Sequence, residues 1–172
     1  MKTKILSKTS KVLLIMAAVV GPLNELGPTP TRANTIALDF AAPPTGVVWG
    51  NLTFGWAFSL SSAVLVTHLG LWDGNNRSAL TPPGDGFLQP HPVIIWTSAG
   101  SVVTSAVLPV GMSGTLVDDF RYISIAPTVL APGDYVIGAH YRSFDLRKDY
   151  SVLSASGITT EPEVIYQGSR SI

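Results

Sequence analysis

Residues 54–73, FGWAFSLSSAVLVTHLGLWD, constrain the chain more than any other stretch. Phe54, Trp56, Phe58 and Leu60 alternate with Gly55, Ala57 and Ser59. Side chains on an extended strand point alternately to opposite faces, so this period of two predicts a strand with a large apolar face and a small-residue face. The aromatic face belongs in a core, where each such side chain contributes about 1.5–3 kcal/mol on burial. The small face suits a solvated or closely approached sheet surface. After a serine pair, Ser61-Ser62, a second alternation covers 63–72, with Leu65, Thr67, Leu69 and Leu71 on one face and Val64, Val66, His68 and Trp72 on the other. Two strands within twenty residues commit the chain to β architecture.

The remaining segments follow the same rule. Residues 34–40 read as a first strand and 41–46 as a turn, and the aromatic strand is taken to begin at Val47. Residues 73–92 hold four prolines and three glycines, which forbid regular structure and mark a long loop of the functional or mobile kind. VIIWTS at 93–98 and SVVTSAVLP at 101–109 flank Ala99-Gly100, a hairpin signal. A Gly-rich loop at 110–115 precedes strands at 120–126 and 135–141, which Pro127 and Pro132-Gly133-Asp134 separate. In the latter strand Tyr135, Ile137, Ala139 and Tyr141 form the apolar face, with His140 on the other. Residues 142–150 read as a solvated loop and 164–166 as a weak last strand. With no useful amphipathic helix, the expected fold is a single all-β domain, an antiparallel β-sandwich or jelly roll, over residues 34–172.

The amino terminus reads differently. Lys2, Lys4, Lys8 and Lys11 precede an apolar run at 12–20 that Gly21-Pro22 breaks. A basic segment before a short apolar one is the pattern of a secretory signal peptide, and about nine residues fall short of the roughly 20 that span a bilayer. Thr31-Arg32-Ala33 offers small residues at the −3 and −1 positions, so residues 1–33 are read as the signal peptide. No membrane span is expected in the mature chain, and the expected location is secreted, extracellular or in the cell envelope. The mature part would carry six basic against ten acidic residues, a net charge of about −4, with no basic stripe. Nucleic-acid binding is therefore disfavoured. The chain has no cysteine, which excludes disulfides, thiolate metal sites and a cysteine nucleophile. Stability must come from core burial, for which about 140 residues suffice.

Four stretches follow one another along the chain: GWAFSLSSAVLVTHLGLWD, a Gly-Asp-Gly loop leading to His91 in GDGFLQPHPVIIWTSAGSVV, then DDFRYISI and LAPGDYVIGAHY. Over residues 47–141 this order resembles the β-sandwich domain of unknown function found in exported bacterial proteins, many of which end in a PEP-CTERM sorting signal. The resemblance implies an exported β-sandwich and no known catalytic residues. It does not extend to the carboxyl terminus. Glu161-Pro162-Glu163 is followed by neither an apolar helix nor a basic cluster before Ile172, so membrane sorting is not carried over. Relatives would be expected to continue past the strand near Tyr166, which leaves a final edge strand in question.

Chemistry is sparse. None of the three histidines, His68, His91 and His140, has metal-site spacing. His68 and His140 fall within strands, where they could meet across a sheet, and the plainer reading is a hydrogen-bonded, partly buried role. Asp118-Asp119 are neighbours on an extended chain and point apart, unlike the two carboxylates of a glycosidase. Gly111-Met112-Ser113-Gly114 lacks the spacing of a nucleophile elbow. Asp73, Asn75, Asn76 and Asp85 make the long loop oxygen-rich. Calcium is the one cofactor considered, with Asp73, Asn75 and Asp85 as its ligands, although these residues are equally turn formers. Trp49, Trp72, Phe87 and Tyr141 are the aromatics proposed to stack on a ligand such as a sugar ring, whereas Trp56 and Trp96 are assigned to the core. The expected function is non-enzymatic, a module contacting polysaccharide or matrix and envelope proteins. A hydrolase would need members of Asp73, Asp85, His91, Asp118, Asp119 and His140 to converge. A third reading is purely structural, through an open edge strand.

Overall fold

The computed structural model describes residues 15–17, 35–41, 45–47, 51–73, 86–117, 120–141, 150–152 and 156–171. All regular structure among them is β. The strands are β1 (Ile15–Ala17), β2 (Thr35–Ile36), β3 (Leu38–Ala41), β4 (Thr45–Val47), β5 (Leu52–Leu60), β6 (Val64–Trp72) and β7 (His91–Thr97). They continue as β8 (Val102–Leu108), β9 (Thr115–Val117), β10 (Phe120–Leu130), β11 (Gly133–Tyr141), β12 (Tyr150–Val152), β13 (Ser156–Thr160) and β14 (Val164–Ser171). Two five-stranded antiparallel sheets form, the first in the order β2-β1-β6-β10-β9 and the second in the order β14-β5-β11-β7-β8. Two strand pairs, β3 with β13 and β4 with β12, accompany them.

The sheets pack face to face as a β-sandwich. One apolar core draws Val64, Val66, Leu69 and Leu130 from the first sheet and Phe58, Ile95 and Ile137 from the second. The alternation of β5 therefore works as expected, with Phe54, Trp56, Phe58 and Leu60 inward. The organising stretch is not a hairpin, however. β5 lies in the second sheet and β6 in the first, so Ser61-Ser62 carries the chain across the sandwich. The backbone N–H of Ser61 is fixed on the carbonyl of Glu163 at 3.0 Å.

β6 departs from strict alternation. Val64 and Val66 reach the core, and so do Leu69 and Leu71, which lie in the opposite phase. The slip falls at Thr67-His68, opposite the register shift of β10 between Ser124 and Thr128. A bulge of this kind turns both phases of one strand inward. It also admits Pro127, which sits inside β10 rather than ending it. The β7–β8 hairpin turns at Gly100, whose φ of 87° needs glycine and whose N–H donates to the carbonyl of Thr97.

Two expectations are corrected by length and pairing, and one strand is new. The aromatic strand starts at Leu52, while Val47 belongs to β4, which pairs with β12. β13 was not foreseen. β14 is no weak fragment but pairs with β5 from Val164 to Ser171. Finally, Ile15–Ala17, within the run read as the apolar part of a signal peptide, lies between β2 and β6. Among the described residues no helix is long and apolar enough to cross a membrane.

Candidate functional site

Where they are described, the aromatics expected to stack on a ligand lie in the interior. Trp72, Phe87 and Tyr141 are buried, at 6%, 2% and 4% exposure, so they offer no ring face to a ligand. Trp49 lies outside the described residues. Phe87 and Tyr141 do come together, but inside the sandwich, on either side of His91. The His91 ring is 5.1 Å from that of Phe87 and 4.7 Å from that of Tyr141. Nδ1 of His91 donates to the carbonyl of His140 at 3.0 Å, since a carbonyl can only accept. Phe87 is anchored by paired backbone hydrogen bonds to Gly111, of 3.2 and 2.7 Å. Gly86, which precedes it, packs so closely on the Gly111 backbone that a Cβ there would lie 2.5 Å from the Gly111 carbonyl carbon.

Of the proposed calcium ligands, Asp73 alone is described. Asp73 is buried, and Arg121 Nε and Nη2 reach its Oδ2 at 2.8 and 2.7 Å. The same guanidinium donates through Nη1 to the carbonyls of Met112 and Gly114, at 2.7 and 3.4 Å. Leu71 and Leu69 oppose Arg121 and Ile123 across the ladder, so this arginine belongs to the inward phase of β10. Asp73 is its counter-ion in the interior rather than a ligand presented to the loop. Asn75 and Asp85 lie outside the described residues, and among those described no three His, Asp or Glu gather as a metal site.

The residues named for a hydrolase show no convergence where they are described. His91 faces the core, whereas His140 faces outward with its Nδ1 3.3 Å from Thr53 Oγ1. Asp73 belongs to Arg121. His68 cannot meet His140, because the two lie in different sheets. His68 instead sits between Thr67 Oγ1 at 2.9 Å and Ser124 Oγ at 3.0 Å. Asp85, Asp118 and Asp119 fall outside the described residues.

What the structure does present is the outer face of the second sheet. Strand register builds it row by row. Gly168, Ala57, Val136, Trp96 and Val102 lie side by side across five strands. The next row is Arg170, Gly55, Gly138, Ile94 and Ser105. Beyond it, Thr53 pairs with His140 and Pro92 with Val107. Trp96 is therefore not a core residue. Val93 and Ile95 take the buried phase of β7, and Trp96 shares the other with Ile94. Its indole reaches over Gly138, with Cζ3 3.4 Å from where a Cβ of that glycine would stand. Val102 lies beside it, 60% exposed, and Val107, opposite Pro92, is 52% exposed. Rows two and three carry one charge between them, Arg170 at the far edge.

Sequence reading missed this face because VIIWTS is apolar in both phases, and such a run does not reveal which side faces solvent. The signal present was the small phase of β5, where Gly55 and Ala57 place no large side chain on the outer surface. No family model, curated protein or solved structure matches the chain.

Proposed function

We propose that this chain is an exported, non-enzymatic, jelly-roll-like β-sandwich module of the extracellular space or cell envelope, working by contact through the outer face of its second sheet. The observation that carries this reading is the continuous apolar area of Val136, Trp96, Val102, Ile94, Pro92 and Val107. Single exposed apolar residues are ordinary on protein surfaces, but a contiguous group of them points to an interaction site. The basic-then-apolar amino terminus and the resemblance to exported β-sandwich domains support the location. The partner that fits is another protein bearing an apolar patch, because aliphatic side chains outnumber the one aromatic and carry no hydrogen-bonding groups. Trp96 over Gly138 is the feature that favours a polysaccharide instead.

The test is binding of the protein to matrix prepared from the cells that produce it, beside the variants Trp96→Ala and Val107→Asp. Both sites are on the surface, so both variants should fold. Binding should fall at least tenfold in each, about 1.4 kcal/mol, and should vanish when the matrix is treated with protease. Loss on periodate oxidation of the matrix, with protease having no effect, would replace the protein partner with a polysaccharide. Unchanged binding by both variants would overturn the contact face itself.

A further inference from the structure

We infer that β8 is a self-pairing edge, through which two copies of this chain join their second sheets in antiparallel register. The case rests on how the four sheet edges differ. A β-edge offers unpaired N–H and C=O groups to any other strand, and proteins suppress this with short edges, bulges, or charged residues and proline. In the first sheet β2 has two residues and β9 three, and they leave lengths of β6 and β10 open. The open part of β6 holds His68 and lies beside the phase slip, and the open part of β10 holds Pro127 and a register shift. In the second sheet β14 is interrupted between Tyr166 and Gly168, where Gly168 has a φ of 112°, and Arg170 follows. β8 is the exception. Its sequence VVTSAVL has neither charge nor proline. Val103 is an extra residue in its register, but residues 104–108 then match 91–95 of β7 one for one. Five consecutive residues thus form a regular, uncharged edge that no other described strand pairs.

A second copy is the occupant that this edge fits. An antiparallel pair about a two-fold axis is self-complementary, with the same residues contributed by each partner. β-branched side chains favour such pairing, and an edge without charge meets its own copy without like-charge repulsion. Five residues of ladder alone fall short of the roughly 1,200–2,000 Å² that stable interfaces bury. Exposed Val102 and Val107 lie at either end of the strand and extend the contact. The association is therefore reversible and concentration-dependent. It would make one ten-stranded surface of two outer faces.

The experiment is sedimentation velocity on the full chain over a hundredfold concentration range, with Ser105→Lys and, separately, Val107→Lys. The wild type should pass from monomer to dimer as concentration rises, and each lysine should hold the protein monomeric across the range. Because the chain lacks cysteine, Ser105→Cys and Ala106→Cys supply a second readout. One or both should form disulfide-linked dimers on mild oxidation, whereas Ser169→Cys on β14 should not. A wild type that is monomeric throughout, or a dimer that survives both lysines and crosslinks equally through Ser169→Cys, would overturn the assignment. Val107 serves both tests, so matrix binding is read on Trp96→Ala, which leaves β8 unaltered, and the dimer on Ser105→Lys; either proposal can then fail without the other.

Discussion

Arg121 is the residue on which the end of the sandwich closes. It is fully buried, and its counter-ion Asp73 comes from the end of a strand in the same sheet. Two such charges lose their hydration on burial and are tolerable only together. Arg121→Met should therefore leave the Asp73 carboxylate without its guanidinium and destabilise the protein by about 3–5 kcal/mol. A lowered urea midpoint measures it. Adding Asp73→Leu should recover part of the loss, because the stranded charge goes too. Recovery should stay incomplete, since Met112 and Gly114 would still lack the donor that holds their carbonyls. Arg121 also shows why the site was hard to read. In FRYISI the arginine alternates with Phe120 and Tyr122 and looks like a solvent-facing residue. Only the partner, 48 residues earlier in sequence, makes it an interior one, and no local pattern encodes that pairing.

At the level of strands, β5 and β11 meet across two glycines. Gly55 opposes Gly138, and a Cβ on Gly55 would run into the carbonyl oxygen of Ile137. Backbone does not yield as a side-chain tip does. Gly55→Ala should therefore spread this strand pair and destabilise by about 1–3 kcal/mol, seen as a lowered urea midpoint with early hydrogen exchange in β11. Much of this level was legible beforehand. The alternation of β5, the β7–β8 turn at Gly100 and the inward phase of β11 all follow from local chemistry. The failures share one cause. Which sheet β6 joins, where its phase slips, and whether β14 finds a partner are decided by contacts across the sandwich. Periodicity reports two faces and cannot say which of them a second sheet will cover. For the same reason periodicity leaves Trp72, Phe87 and Tyr141 as candidates for ligand stacking and assigns Trp96 to the core.

For the molecule as a whole, β1 links the fold to the export reading. Its residues Met16 and Ala17 pair with Val66 and Leu65 of β6. Cleavage after Ala33 would take β1 out of the first sheet while sparing Ala37 and Leu38, which are buried in the core clusters. Amides of Leu65 and Val66 should then exchange faster in a protein comprising residues 34–172 than in the full chain, with β7 and β11 unchanged. Equal protection in both forms would show that β1 contributes nothing to the sheet. The connection between β8 and β9, which passes from the second sheet to the first, has a consequence of another kind. Arg121 holds it through main-chain carbonyls alone, while the side chain of Met112 points outward, 68% exposed. A crossing fastened by its backbone is indifferent to the letters written on it. Positions 110, 112 and 113 are thus free to vary, and new binding specificity could be written there without disturbing how the two sheets are joined.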